Sequence, residues 1–244
     1  MKKNEEVGNI NYDAMHSQRL SKTKNFLTIT NYSNILDIGS YEGKWGEILK
    51  EMFPNSTIYL ADLGIKTDKT YGKIKYKKIE DLNSKSLPFS DDSLDLVTCL
   101  EVLEHLCYPD NIISEIYRVL KPGGELILTT PNLGSWSNRL LMIFGYFPVS
   151  MSISLKSEES GIRDMMKKEP KTRDGAKFDY HVRAYTPSSL KIVLKENNFE
   201  IENFKIFYGY QSNNKLFHLI NKLIEIMLPS LEQTILIKCK KRIM

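Results

Sequence analysis

The feature that most constrains the fold is a regular alternation of strand-like and helix-like stretches between residues 34 and 130. Apolar runs typical of buried strands occupy 34–38, 57–62, 94–100 and 125–130, and 73–79 has the alternation of a half-exposed strand. Residues 44–53 and 111–120 have the apolar spacing of helices. Because strands that alternate with helices join in parallel through right-handed crossovers, the sequence predicts an open α/β fold.

Two segments interrupt this order. Residues 1–30 are predicted to form an N-terminal segment with a lid helix over 14–29. Residues 31–244 are predicted to form one domain, because a chain of 244 residues usually builds a single core. Residues 133–183 begin as a helix and continue as a polar stretch without a period, so we expect a cap-like insertion there. A cap at Thr186 with Pro187 behind it then predicts a helix to Asn197, followed by strands over 199–208 and 234–240 and a helix over 215–228.

Composition excludes several classes of protein. The three cysteines, Cys99, Cys107 and Cys239, form neither a CxxC pair nor a metal-binding spacing, which favours a reducing compartment. The start of the chain has no signal-peptide core, and no apolar run is long enough to span a bilayer, so we expect a cytoplasmic protein. A net charge of +4, spread over lysines that alternate with acids, disfavours a nucleic-acid partner.

The loop after the first strand, ILDIGSYEG, predicts the ligand. Gly39 and Gly43 allow a sharp turn and a close approach of the ligand, but the spacing fails the GxGxxG dinucleotide pattern. Asp37 would repel a pyrophosphate and suits a positive amino group. Asp62 ends the second strand, where a carboxylate can accept both hydroxyls of a ribose, and Asp81 can accept from an adenine amino group. An amino acid, a ribose and an adenine without phosphate make up S-adenosylmethionine.

These stretches also resemble a known family. ILDIGSYEG, the acid of YLADL, DLNSKSLPFSDDSLDLVTCLEVLEHL and RVLKPGGELILTTPN are similar to successive motifs of the class I S-adenosylmethionine-dependent methyltransferases, and most of all to the group that includes the ubiquinone-biosynthesis methyltransferases. The resemblance covers residues 30–132 and resumes at HVRAYTPSSLKIVLKENNFEIENF. It departs at Tyr41, where the family has a glycine.

The resemblance implies a Rossmann-like, mostly parallel sheet of seven strands with helices on both faces and an antiparallel addition that includes the last strand. It implies methyl transfer from S-adenosylmethionine, which depends on positioning more than on acid–base help. The cofactor-binding residues that it implies are Asp37, Gly39, Ser40, Gly43, Asp62, Leu63, Asp81, Leu82, Leu100 and Glu101.

Two further sets of side chains are candidates for chemistry. Glu101, Glu104 and His105 would share one face of a helix, and some quinone methyltransferases bind a divalent metal with such a cluster. A helix start with acids favoured by the dipole explains the same residues, so we expect no metal. His105 and His181 are the candidate catalytic residues, and a structural histidine is the alternative for His181.

The acceptor is expected to be a small-molecule, lipid or glycan-type compound. Apolar and aromatic residues in 133–180 and 215–228 alternate with basic and acidic ones, which suits an amphiphilic acceptor with negative charge better than a nucleic acid. Oligomeric state stays open between monomer and homodimer. Two other functions also stay open: a nicotinamide-dependent oxidoreductase and a non-catalytic adenosyl-binding module.

Overall fold

The computed structural model describes residues 19–27, 31–40, 43–65, 68–153, 180–208 and 215–243. Within them, one sheet contains eight strands, which are β1 Asn34–Ile38, β2 Thr57–Asp62, β3 Lys69–Tyr71, β4 Ile74–Lys78, β5 Leu94–Leu100, β6 Leu120–Pro131, β7 Phe199–Phe207 and β8 Thr234–Lys241. The helices are α1 Lys44–Met52, α2 Pro109–Val119, α3 Trp136–Ile143, α4 Pro187–Glu196 and α5 Lys215–Met227, with 3₁₀ turns at Leu103–His105 and Pro229–Leu231. Residues 19–24 are also helical.

The strand order is β3-β4-β2-β1-β5-β6-β8-β7. The five strands that stand between β4 and β6 in this order, both included, pair in parallel, and β8 runs antiparallel to its neighbours β6 and β7. The chain winds outward from β1 through β2 to β4, and then returns to β5 on the other side of β1. The order therefore reverses between β1 and β5, where open α/β sheets bind their ligands at the carboxyl ends of the strands.

The helices cover the two faces of the sheet as their apolar spacing predicts. Ile112 and Ile116 of α2 and Leu190 of α4 pack into a core on one face, and Trp45 and Leu49 of α1 pack into a second core on the other. Residues Leu20 and Leu27 of the N-terminal segment join this second core. The α/β fold with helices on both faces is thus confirmed.

Local signals set two of the element boundaries. The side chain of Thr186 accepts a hydrogen bond from the N–H of Ser189, whose own hydroxyl accepts from the N–H of Thr186, so a capping box begins α4 with Pro187 in its first turn. Strand β6 begins at Leu120, before Pro122, Gly123 and Gly124, a sequence typical of a turn. Its pairing with β5 passes from Leu94–Leu120 to Leu96–Glu125, so the turn is present as a bulge inside the strand.

The predicted count of seven strands is wrong by one. Strand β3 forms an antiparallel hairpin with β4, and all three of its residues are exposed. A short exposed strand has no apolar pattern that would distinguish it from a loop. Most of the predicted insertion (154–179) and part of the predicted lid helix (14–18 and 28–29) lie outside the described residues. Among the described helices, none has the length and apolarity needed to cross a bilayer.

Candidate active site

The loop between β1 and α1 turns at two glycines. Gly39 has φ +75°, and a Cβ atom there would lie 2.4 Å from Cγ2 of Val102, so both the backbone and the packing require glycine. The N–H groups of Gly39 and Ser40 donate to the carbonyl of Ala61 at 2.8 and 3.3 Å, which ties the loop to the end of β2. Gly43, at φ +81°, precedes α1. Tyr41 lies outside the described residues.

Asp37 lies at the carboxyl end of β1 and is buried. Its Oδ1 accepts a hydrogen bond from the hydroxyl of Thr98 at 2.7 Å, and Trp45 Nε1 donates to the same hydroxyl at 3.2 Å. Burial raises the pKa of Asp37 from 3.8 to about 7, and the hydrogen bond from Thr98 offsets only part of this effect. A cationic group would favour the ionised form of this carboxyl.

The other two predicted acids follow neighbouring strands at the same edge. Asp62 ends β2, and its Oδ1 accepts from the N–H of Gly64 at 2.7 Å, so Leu63 lies in a tight turn. Asp81, after β4, accepts from the N–H of Asn83 at 2.8 Å and from the hydroxyl of Ser84. These hydrogen bonds lower the pKa of Asp81. Leu82 beside it is buried.

An ion pair that the sequence did not indicate lies at the end of β5. Leu100 is the last residue of the strand, and Glu101 follows it at φ +57°, a conformation that non-glycine residues rarely adopt and that is common at functional sites. A carboxylate oxygen of Glu101 lies 3.4 Å from the guanidinium of Arg19, which is buried. Within the described residues, Arg19 Nε and Glu101 Oε1 have no hydrogen-bond partner.

The two predicted catalytic histidines meet beside Glu104. The carbonyl of Glu104 accepts hydrogen bonds from the N–H groups of Val182 and Arg183 at 2.8 and 3.0 Å, so the segment before α4 is held against the 3₁₀ turn. The rings of His105 and His181 therefore lie 4.8 Å apart between their centroids.

Backbone carbonyls set the tautomer of both imidazoles. Nδ1 of His105 lies 3.1 Å from the carbonyl of Tyr180, and Nδ1 of His181 lies 3.1 Å from the carbonyl of Ser150. Since a carbonyl can only accept, each Nδ1 carries the proton and each Nε2 retains its lone pair. Burial lowers the pKa of both rings, that of His105 to about 4, so both are neutral at pH 7.

The carboxyl of Glu104 completes this cluster. One of its oxygens accepts from the hydroxyl of Thr130 at 3.1 Å, and the other has no partner among the described residues. Burial, together with the charge of Glu101, raises the pKa of Glu104.

The possible metal ligands that the structure brings together differ from the predicted set. One atom each of Glu104, His105 and His181 lies within 4.8 Å of the others, whereas Glu101 is paired with Arg19. The helical face that Glu101, Glu104 and His105 would share is not formed, because Glu101 has a left-handed backbone and precedes a 3₁₀ turn. Oxygen and imidazole nitrogen are ligands that zinc and manganese accept, so the donor set is compatible with a transition metal.

A model of a protein family, described as "Methyltransferase domain", matches residues 12–203. The chain belongs to this methyltransferase family. The predicted resemblance is thereby confirmed, and with it S-adenosylmethionine as the cofactor expected from the family.

Individual relatives cover less of the chain. An uncharacterized protein of Methanocaldococcus jannaschii is 39% identical over 101 residues, which are 41% of this chain and 42% of the relative. A ubiquinone biosynthesis O-methyltransferase of Xanthomonas oryzae pv. oryzae is 34% identical over 108 residues, 41% of this chain and 44% of the relative. The matches thus span about two fifths of the length of these relatives. The structure of an S-adenosylmethionine dependent methyltransferase from Mesorhizobium loti has a TM-score of 0.55 at 16% identity, and covers 91% of this chain and 96% of that one.

Proposed function

We propose that this chain transfers a methyl group from S-adenosylmethionine to an oxygen, nitrogen or carbon nucleophile of a small or amphiphilic acceptor. The observation that carries the proposal is the row of acids at the carboxyl edge of the sheet. Asp62 ends β2, Asp37 is the residue before the end of β1, and Glu101 follows β5, so the three acids lie on neighbouring strands beside a glycine turn without a dinucleotide pattern. These acids suit a nucleoside with an amino acid end and disfavour a pyrophosphate.

Described residues support contacts with the ribose, the charged groups and the carboxylate of this cofactor. Asp62 is positioned to accept from the ribose hydroxyls, and Asp37 and Glu101 favour the ammonium and sulfonium charges. Arg19 has an unpartnered Nε in a buried position and can bind the carboxylate of the methionine end. When bound, the cofactor supplies a methyl group on a sulfonium, which an attacking nucleophile displaces in line.

The histidine pair is placed to remove the proton of an oxygen or nitrogen nucleophile. As the new bond to the methyl carbon forms and the bond from carbon to sulfur breaks, Nε2 of His105 or His181 accepts the proton. A histidine with a lowered pKa holds a proton poorly, so it releases the proton again before the next turnover.

Exposed apolar side chains on α3 and α5 support an amphiphilic acceptor. Ile143 and Phe144 at the end of α3 are 77% and 68% exposed, and Leu219, Leu223 and Ile226 recur on α5 at helical spacing with at least half of their surface exposed. Trp136 Nε1 donates to Asn221 Oδ1 at 2.8 Å, which joins α3 to α5. Large apolar residues exposed close together are typical of a binding surface.

Binding and transfer are tested separately. Calorimetry should show binding of S-adenosylmethionine and no binding of NAD; the reverse result would support an oxidoreductase. The small-molecule fraction of a cell extract, incubated with protein and tritiated S-adenosylmethionine, should take up label. Binding without label in any fraction would support a non-catalytic module, and label only in RNA or protein would contradict the acceptor class.

A further inference from the structure

A buried carboxylate outside the row of acids lies farther along the same sheet edge. Glu232 follows the 3₁₀ turn Pro229–Leu231 and lies two residues before β8. Because β8 is antiparallel, its first residue, Thr234, pairs with the last residues of β6 and β7, Pro131 and Phe207. Glu232 therefore lies at the edge formed by the carboxyl ends of the parallel strands, next to β8. Strand β8 is two strands from β5, which at the usual strand spacing is a distance of about 10 Å.

Strand register places other polar groups between these two points. Leu100 of β5 pairs with Thr129 of β6, and Thr129 pairs with Leu236 of β8. Thr234 lies two residues from Leu236 in β8, so its side chain is on the same face of the sheet as that of Leu236. Paired residues share a face, so the side chains of Thr129 and Thr234 lie on the face that Asp37 also occupies. The hydroxyls of Thr129 and Thr234 are buried, and neither has a hydrogen-bond partner within the described residues.

Glu232 itself has no exposed surface, and no side chain in the described part of the chain pairs with its carboxylate. Its backbone, in contrast, is fixed. The Nδ2 of Asn132 donates to the carbonyl of Glu232 at 2.7 Å, and the N–H of Glu232 donates to the carbonyl of Pro229 at 3.2 Å. A rigidly held carboxylate without a side-chain partner is a preorganised hydrogen-bond acceptor that the fold satisfies only in part.

The nearest charges do not neutralise it. Burial raises the pKa of Glu232 to about 7 with a smaller contribution from the charge of Glu225 of α5, and a backbone hydrogen bond from Gln233 offsets only part of this effect. The cation close to Glu225 is Lys22, whose Nζ lies 3.3 Å from a carboxylate oxygen of Glu225, so this lysine is already paired. At pH 8, where Glu232 is ionised, a ligand group facing it must donate a hydrogen bond, and a carboxylate on the ligand would be repelled.

We propose that Glu232 binds a hydroxyl or ammonium group of the methyl acceptor, with the hydroxyl of Thr234 as a second contact. Glu232 is then a specificity residue that selects acceptors with a hydrogen-bond donor at the end remote from the cofactor. This inference rests on the proposed methyltransferase function, and for this part of the site it differs from the expectation of a negatively charged acceptor.

The test compares the wild-type protein with Glu232→Gln, and with Glu200→Gln on the exposed side of β7 as a matched control. Tritiated S-adenosylmethionine and the small-molecule fraction of a cell extract identify the labelled acceptor, which is then purified. We expect Glu232→Gln to raise the KM for this acceptor at least tenfold, with the Kd for S-adenosylmethionine within twofold of wild type. An unchanged KM, or a loss of cofactor affinity that parallels the loss of activity, would overturn the assignment.

Acylation of amines in the extract with an N-hydroxysuccinimide ester of acetate separates the two donor groups. Labelling that disappears after this treatment assigns an ammonium group, and labelling that persists assigns a hydroxyl. An extract in which the wild-type protein labels nothing contradicts the proposed function, whereas labelling that does not depend on residue 232 contradicts only the role of Glu232.

A thermal measurement needs no acceptor. Because no side chain of the described fold pairs with the carboxylate and burial disfavours its ionised form, Glu232→Gln should leave the melting temperature at pH 8 equal to or above that of wild type, and Glu200→Gln should leave it unchanged. A melting temperature several degrees lower for Glu232→Gln would show that the carboxylate has a structural role, and would overturn the inference.

Discussion

Asp37 gives a direct link between the site and the stability of the chain. Its pKa is 3.8 in an ordinary setting and about 7 in the fold, because burial disfavours the charged form. Between pH 4 and 7 the unfolded chain has released this proton while the folded chain still holds it. The free energy of unfolding therefore falls as the pH rises through this range, and it is constant above it.

The size of the effect follows from the shift. About three pKa units at 1.36 kcal/mol each give a loss of about 4 kcal/mol between pH 4 and pH 8. Asp37→Asn keeps an oxygen that can accept from the hydroxyl of Thr98 but cannot ionise. We therefore expect the variant to gain stability relative to wild type as the pH rises, by up to about 4 kcal/mol at pH 8.

Urea unfolding of both proteins at pH 5, 6, 7 and 8 measures this difference. Glu51→Gln, an exposed site on α1, is the control and should follow wild type. A difference between wild type and Asp37→Asn that does not vary with pH would refute the reasoning. Because a cation favours ionised Asp37, S-adenosylmethionine should also bind wild type more tightly at pH 8 than at pH 6, and this pH dependence should be absent in Asp37→Asn.

Three further predictions concern the cofactor and the histidine cluster. Asp62→Ala should weaken binding of S-adenosylmethionine by about 2 to 3 kcal/mol in calorimetry, because charge-assisted hydrogen bonds to the ribose are lost; unchanged affinity would contradict the assignment. Gly39→Ala should lower stability in urea unfolding by about 2 kcal/mol or more, since it adds left-handed strain and a clash with Val102, and a neutral effect would contradict the geometry. Methyl transfer should be indifferent to EDTA, because the two neutral imidazoles suffice to accept a proton; activity that EDTA removes and manganese or zinc restores would instead place a metal on His105 and His181.

Much of the fold could be predicted because its signals are local. The apolar run Leu94–Leu100 and the cap at Thr186 with Pro187 each identify an element from a few adjacent residues. The acids Asp37 and Asp62 could be predicted to lie at the edge of the sheet because each one stands at or next to the end of a predicted strand, before a turn. The order of the motifs along the chain also indicates the family.

The rest of the site depends on contacts between distant parts of the chain. Arg19 meets Glu101, and His181 meets His105, only after the segments around them have packed. Nothing near Arg19 in the sequence separates a buried arginine from a solvated one. Glu232 lies in a polar stretch that suggests a loop, and its burial follows from the antiparallel entry of β8 and from the contact of Asn132 with its backbone.

The charges of the site argue for a cationic ligand even without the family match. Burial raises the pKa of Asp37, Glu104 and Glu232, which all lie toward one edge of the sheet. The buried cations of the described chain, Arg19 and Lys238, are paired with Glu101 and Glu125. Without ligand, the fold holds these carboxyls at the expense of stability at neutral pH. A sulfonium and an ammonium group would let Asp37 ionise without that penalty, and a donor group on the acceptor would do the same for Glu232. Cofactor binding should therefore stabilise the protein more at pH 8 than at pH 5, which thermal unfolding with and without S-adenosylmethionine at the two values measures; equal stabilisation at both would show that the carboxyls do not sense the ligand.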